Sequence, residues 1–255
     1  MKKFMSELLN DFLLYFQFFT RIPINKNLNC DMENFKKGSI FFIFVGLFIG
    51  VSQWTVFYLF NKIFPPKITA IFVIMVSILI TGATHVDGLG DVCDGFFAFK
   101  GKQKEKIIEI MKDSRVGTFS SIAIVFDILI RYAVIIAIIE KNVAFIIIAA
   151  PVLSKFSVVF ISYIGKCAKK SGTGNLFINN IDLKRVIISA LFTFVFIFKL
   201  IGVKYSIILM SVALIIALLF NKYCESKIGG LTGDTLGANN ELVDMFVMLV
   251  YLAII

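Results

Sequence analysis

The chain is 255 residues long, 58% hydrophobic and contains 29 phenylalanines, an apolar excess that argues against an ordinary soluble domain and for an integral membrane protein. Its formal net charge of +9 needs no nucleic acid as partner: basic loops beside anionic inner-leaflet lipids account for it, and the same charge can gather a polyanionic substrate. Four scattered cysteines, Cys30, Cys93, Cys167 and Cys224, support neither a zinc site nor a disulfide framework, and reduced thiols in cytoplasmic loops are expected.

In chain order, residues 4–24 come first. Phe4, Leu8, Leu9, Phe12, Leu13, Phe16 and Phe19 share one helical stripe, with Ser6, Glu7, Asn10, Asp11 and Gln17 opposite. That pattern predicts an amphipathic helix lying on the inner membrane surface. Asp11 and Gln17 interrupt the apolar run and no small-residue cleavage site follows, which speaks against a signal peptide. Seven apolar segments follow: Ile40–Phe60, Ile68–Ala83, Phe119–Ile139, Val143–Tyr163, Val186–Ile201, Val203–Phe220 and Leu242–Ile255. The fifth and sixth are separated by little more than Gly202, which fits a tight helical hairpin, with one long broken helix as the alternative. The expected fold is therefore all-α: a polytopic membrane bundle of about seven transmembrane helices plus the surface helix. No repeat, low-complexity tract or linker divides it, so residues 1–255 are expected to form one membrane domain.

Lys and Arg set the orientation. Six precede the first span, six lie in 84–118, five in 164–185 and two in 221–241, nineteen on one side; the other side has five, and Arg131 and Lys155 lie within spans. This bias places the amino terminus in the cytoplasm and the carboxyl terminus outside. Lys100, Lys102, Lys104 and Lys106 are read as topology and lipid contacts. The polar clusters at 84–95, 111–119, 171–175 and 229–238 all fall on the basic side, although topology was assigned from Lys and Arg alone. One shared site follows.

THVDGLGDVCDG, residues 84–95, carries the chemistry. Asp87, Asp91 and Asp94 are spaced i, i+4, i+7, within about 60° of one another on a helix. Three anions so close repel unless a cation such as Mg²⁺, which takes oxygen ligands and is shared with substrate phosphates, neutralises them. If the second span runs on, its sixteen residues rise about 24 Å against a core of roughly 30 Å, so Asp87 starts near the inner interface and Asp94 lies beyond it. His85, the only histidine, would then face away from the aspartates unless Gly82 or Gly88 breaks the helix. It is a general base or a group that orients Asp87 or a phosphate.

MKDSRVGTF, residues 111–119, adds Asp113 as a further metal ligand and Arg115 as a bidentate phosphate fork, with Gly117 allowing close backbone approach. GGLTGDTLGA, residues 229–238, offers Asp234 for the metal, and Thr232 and Gly233 to cradle phosphate, on a Gly-rich loop ahead of the final span. Glu241 and Asp244 either complete the site or cap that span. Asp127 and Arg131, four residues apart within the third span, are expected to form a structural ion pair, joined by Lys155.

Taken together, HVDGLGDVCDG, the TRIP at Thr20–Pro23, IMKDSRVGTF and GGLTGDTLGA resemble, in order and over essentially the whole chain, the signatures of the adenosylcobinamide-GDP ribazoletransferase (cobalamin synthase) family. Departures are small: Val86 for Leu, Gly90 for Ala, and Cys93 at a variable position, none removing a carboxylate. The resemblance implies a Mg²⁺-dependent inner-membrane transferase at the last stage of coenzyme B₁₂ assembly. It would join adenosylcobinamide-GDP to α-ribazole or its 5′-phosphate and release GMP. Asp87, Asp91, Asp94, Asp113 and Asp234 would hold metal, His85 and Asp94 would take catalytic roles, and Arg115, Gly117, Thr232, Gly233 and Glu241 would bind substrate. Membrane lipids are partners by location, a homo-oligomer is compatible with the sequence, and no nucleic acid is expected. The acidic motif also resembles that of CDP-alcohol phosphotransferases in chemistry and placement, although the spacing differs, so a lipid enzyme of that kind is the alternative. A cation transporter ranks third, because transport favours acids deep within broken spans, whereas here only Asp127 is deep.

Overall fold

The computed structural model describes residues 2–99, 101 and 103–255, excepting the side chains of Lys2, Lys3 and Phe4. The expectations for Lys100 and Lys102, and the place of the Phe4 side chain on the apolar stripe, lie outside the described residues. Regular structure there is helical, with one isolated bridge between Cys167 and Leu231. The helices are α1 (Lys2–Phe19), α2 (Met32–Gly38), α3 (Phe42–Phe60), α4 (Pro66–Thr81), α5 (Thr84–Cys93), α6 (Lys104–Ile110), α7 (Thr118–Glu140), α8 (Ile146–Ile164), α9 (Leu183–Ile201), α10 (Val203–Ile228) and α11 (Gly233–Ile254).

Each of the seven apolar segments is a helix, and five helices are long and apolar enough to cross a membrane by themselves: the Met32–Phe60 run, α7, α8, α10 and α11. The other two are α4, of sixteen residues, and α9, which carries Lys184, Arg185 and Lys199. Gly202 alone separates α9 from α10, and both pack on α8. This is the hairpin, not the broken helix. At the centre runs α8, sixteen of whose nineteen residues are buried. Lipid tails are as apolar as leucine, so helices in a membrane gain contact mainly by close packing. Gly46 on α3 provides it: a Cβ there would sit 2.5 Å from the Pro151 carbonyl oxygen of α8. Phe126 and Leu129 on α7, Leu191 on α9 and Leu219 on α10 remain outward and exposed, as a lipid-facing belt requires.

The amphipathic reading of α1 holds, but its faces are redistributed. Asp11, Leu14 and Tyr15 are buried against the protein, while Met5, Leu8 and Leu9 are exposed. Asp11 faces inward because its carboxylate accepts hydrogen bonds from Asn34 (2.7 Å) and Asn10 (3.2 Å). The TRIP segment ties the end of α1 to the end of α4. Thr20 Oγ1 donates to the Phe16 carbonyl (2.6 Å), and the Arg21 N–H donates to the Ile80 carbonyl (2.7 Å). The Arg21 guanidinium lies against Gly82, a favourable place for a cation at a helix carboxyl end.

The second span does not run on. Gly82 (φ 64°) and Ala83 (φ 62°) both take the left-handed conformation, ending α4, and α5 departs at 91°. Glycine enters that region without penalty, whereas alanine pays roughly 1–2 kcal/mol. The bend turns α5 across the amino-terminal ends of α7 and α11. Two further expectations are corrected. The stretch 233–238 is the first turns of α11, not a loop, because Thr232 and Thr235 form a reciprocal capping box. Cys224 is buried on α10 rather than in a loop.

Candidate active site

The glycines of the acidic motif are there because α5 crosses two helix ends in close contact. A Cβ on Gly88 would lie 2.7 Å from the Asp234 carbonyl oxygen at the start of α11, and one on Gly90 would lie 2.2 Å from Ser120 Oγ on α7. From the other side, Gly237 of α11 lets the His85 backbone approach. The crossing sets the acidic side chains of α5 beside Asp234. Asp87 is exposed, Asp91 half-buried, His85 buried. Burial pushes the Asp91 carboxyl up to about 7, helped by the negative charges of Asp87, Asp234 and Asp94 and opposed by Lys169.

Beside this cluster lies a cavity of about 250 Å³. Its walls come from α1 (Phe18, Phe19), α5 (Thr84, His85, Asp87), the 173–174 turn and α11 (Gly233, Asp234, Gly237). The 166–175 segment is held there by backbone bonds: Leu231 N–H donates to the Lys166 carbonyl (2.7 Å) and Ala168 N–H to the Leu231 carbonyl (2.8 Å). Lys169 then stands 3.7 Å from Asp234, which also accepts a hydrogen bond from Thr232 Oγ1 (3.1 Å). The α11 amino terminus, whose first N–H groups lack helical partners, opens on the same space and favours anions.

Beneath the cavity, within the bundle, is a buried charge network. Arg131 on α7 bonds Asp127 (2.9 Å), Glu241 (2.5 Å) and Asp244. Asn240 Nδ2 donates to Glu241 Oε1 (3.0 Å), and Lys155 Nζ on α8 donates to Asn240 Oδ1 (2.5 Å). The Asp127–Arg131 pair expected from the sequence is present, and two acids from α11 enlarge it.

The structure thus brings Asp87, Asp91, Asp234, Thr232, Gly233 and His85 to one place. Of the remaining candidates, Asp94 stays near enough for its charge to act on Asp91 but is turned to other partners, and the rest are placed elsewhere. Asp94 caps α7, accepting from the N–H groups of Gly117 (2.7 Å) and Ser120 (3.0 Å); the close approach that Gly117 permits is that of Asp94. Asp113 and Arg115 bond each other on an exposed turn, at 2.6 Å, and the guanidinium's hydrogen bonds hold the Asp113 carboxyl down to about 2. Glu241 lies in the inner network, away from the cavity. Among the described residues no three His, Cys, Asp or Glu side chains form a ready-made cation cage. The 171–175 stretch was expected at the shared site, and Thr173 and Gly174 line the cavity, whereas Lys169, Phe18 and Phe19 were not foreseen.

A family profile described as cobalamin-5-phosphate synthase matches residues 11–252. The chain is 54% identical to an adenosylcobinamide-GDP ribazoletransferase of Clostridium tetani over 96% of this chain and 97% of that protein. A protein of the same name from Clostridium kluyveri is 49% identical over 98% of this chain and 99% of its own length. Another, from Clostridium botulinum, is 40% identical over 98% and 100%. No solved structure matches. With the match covering all but the two ends of the sequence, this chain belongs to the cobalamin-5-phosphate synthase family.

Proposed function

We propose that the protein is a Mg²⁺-dependent membrane transferase joining adenosylcobinamide-GDP to α-ribazole, or to its 5′-phosphate, with release of GMP. The relatives' printed name supports the substrates. The observation that carries the chemistry is that Asp87 and Asp234 line one cavity at the α11 amino terminus, with Asp91 near enough for both charges to act on it and Lys169 3.7 Å from Asp234. Because the leaving group is GMP, guanosine keeps its own phosphorus. The α-ribazole hydroxyl oxygen therefore bonds to the cobinamide-linked phosphorus, the bridging P–O bond breaks, and the hydroxyl proton is lost.

The donor chemistry suits a hard divalent cation, carboxylate oxygens only, with Asp91 pushed up to about 7 by burial and its acidic neighbours, and the side chains would have to draw together around the ion, since no three of those described form a cage without it. When bound, Mg²⁺ supplies charge neutralisation and alignment of the diphosphate, which phosphoryl-transfer chemistry needs more than a covalent nucleophile. Asp87, Asp91 and Asp234 would hold it. Lys169 and the first N–H groups of α11 attract the substrate's phosphates, and the Thr232 hydroxyl fixes the orientation of Asp234. A 250 Å³ cavity is below the roughly 300–1,000 Å³ of pockets that enclose drug-sized ligands. It suits the reacting diphosphate, leaving the amphiphilic corrinoid at the membrane interface. The charge asymmetry supports a cytoplasmic position for this end of the bundle.

The test is turnover of purified protein in detergent. GMP release from adenosylcobinamide-GDP that requires both α-ribazole and Mg²⁺ supports the proposal. No release under those conditions, or transfer to a lipid hydroxyl instead, overturns it in favour of the CDP-alcohol phosphotransferase-like alternative.

A further inference from the structure

His85 is the only histidine in the chain. It is 5% exposed, lines the cavity, and its Nδ1 has no hydrogen-bond partner within the protein. Its Nε2 is 3.5 Å from Lys155 Nζ. Which ring nitrogen carries the proton follows from the network behind it. Glu241 is acceptor-only: Oε2 takes Arg131 Nη2 at 2.5 Å and Oε1 takes Asn240 Nδ2 at 3.0 Å. With its amide nitrogen committed to a carboxylate, Asn240 must turn its oxygen toward Lys155, and it does so at 2.5 Å. The reverse orientation would set amide oxygen against carboxylate and amide nitrogen against amine. Asp127, Glu241 and Asp244 outnumber Arg131 in the network, so Lys155 stands there as the second cation. An ammonium has donors and no acceptor. The nitrogen facing it must be the bare one, and an imidazolium there would set two cations in contact.

We propose that the Arg131–Glu241–Asn240–Lys155 chain holds His85 as its Nδ1–H tautomer, making it a hydrogen-bond donor to an anionic phosphate oxygen in the cavity and not a proton acceptor. Lys155, buried on α8, is the positioning residue. The arrangement explains a lysine within a spanning helix, where an unpaired charge is costly, and it explains an imidazole N–H left without a protein partner beside a cavity. That the acceptor is a phosphate oxygen rests on the function proposed above. The tautomer does not.

The experiment exploits the single histidine. Protein labelled with ¹⁵N-histidine gives an imidazole spectrum from one residue, in which protonated and bare nitrogens are separately resolved. In substrate-free wild-type protein in detergent, Nδ1 is expected to be the protonated nitrogen and Nε2 the bare one. In Lys155→Met, Nε2 loses its donor and the proton should move to it, while a merely structural role for Lys155 would leave the tautomer unchanged. A wild-type spectrum showing Nε2–H or imidazolium overturns the proposal, and so does an unchanged tautomer in folded Lys155→Met. If that variant does not fold, the wild-type spectrum still decides. The donor role is tested by shape. The amide nitrogen of asparagine occupies the place of Nδ1 and that of glutamine the place of Nε2. His85→Asn should therefore keep a kcat/KM about ten-fold or more above that of His85→Gln. Equal or reversed activities overturn the donor role. Failure to turn over adenosylcobinamide-GDP would instead remove the function proposed above and leave the tautomer result standing.

Discussion

Gly88→Ala tests whether the contact between α5 and α11 builds the site. The added Cβ would stand 2.7 Å from the Asp234 carbonyl oxygen, 3.2 Å from its Cα and 3.3 Å from its carbonyl carbon. These are backbone atoms and cannot swing aside. Ordinary contact begins near 3.5 Å, so α5 must lift from α11 by roughly 1 Å, at a strain typical of overpacking, about 1–3 kcal/mol. The lift separates Asp87 and Asp91 from Asp234. A misplacement of about 1 Å can cost on the order of 10²-fold in rate. Gly50→Ala is the matched control, because its Cβ would meet the Ile148 carbonyl oxygen at 2.6 Å but between α3 and α8, away from the acids. Both variants should melt earlier in detergent than the wild type. Only Gly88→Ala should lose on the order of 10²-fold in kcat/KM per folded enzyme. Full activity in Gly88→Ala, or equal losses in the two variants, would refute the view that this contact positions the carboxylates.

Two further outcomes are expected. Arg131→Met leaves Asp127, Glu241 and Asp244 buried without their shared guanidinium, a loss of about 3–5 kcal/mol; a wild-type melting temperature in detergent would contradict the role given to the network. For topology, a membrane-impermeant maleimide should reach the exposed Cys30 only in opened cells and Lys141→Cys in intact ones, and the opposite pattern would invert the orientation.

The spans were legible because a run of apolar residues has one use in a bilayer, and the ion pair because Asp127 and Arg131 stand one turn apart within such a run. Counting Lys and Arg put the four polar clusters on one side, and of these 84–95, 171–175 and 229–238 contribute to the cavity while Asp113 and Arg115 of 111–119 do not. The bend after α4 was left open, since it depends on Ala83 adopting a left-handed conformation that alanine avoids. The split among the acids was not visible either. Asp87, Asp91 and Asp94 share a spacing, but Asp94 is drawn to the amino terminus of α7, a helix beginning twenty-four residues later at Thr118. Arg115 offered a phosphate fork in sequence, yet Asp113, two residues away, occupies it. Glu241 is read as a substrate contact until α11 is seen to turn it toward Arg131. The setting of His85 was beyond sequence reasoning altogether, because it rests on Lys155, seventy positions away.

In the proposed function Asp87, Asp91 and Asp234 form one cation-dependent site. Its most direct test is initial rate against Mg²⁺ concentration for the wild type and for Asp87→Asn, Asp91→Asn and Asp234→Asn, each of which keeps shape and removes one charge. All three variants should need more Mg²⁺ for half-maximal rate, about 10–100-fold more if each removes one ligand or its close support. A wild-type Mg²⁺ curve with near-wild-type rate in any two of them would contradict the account.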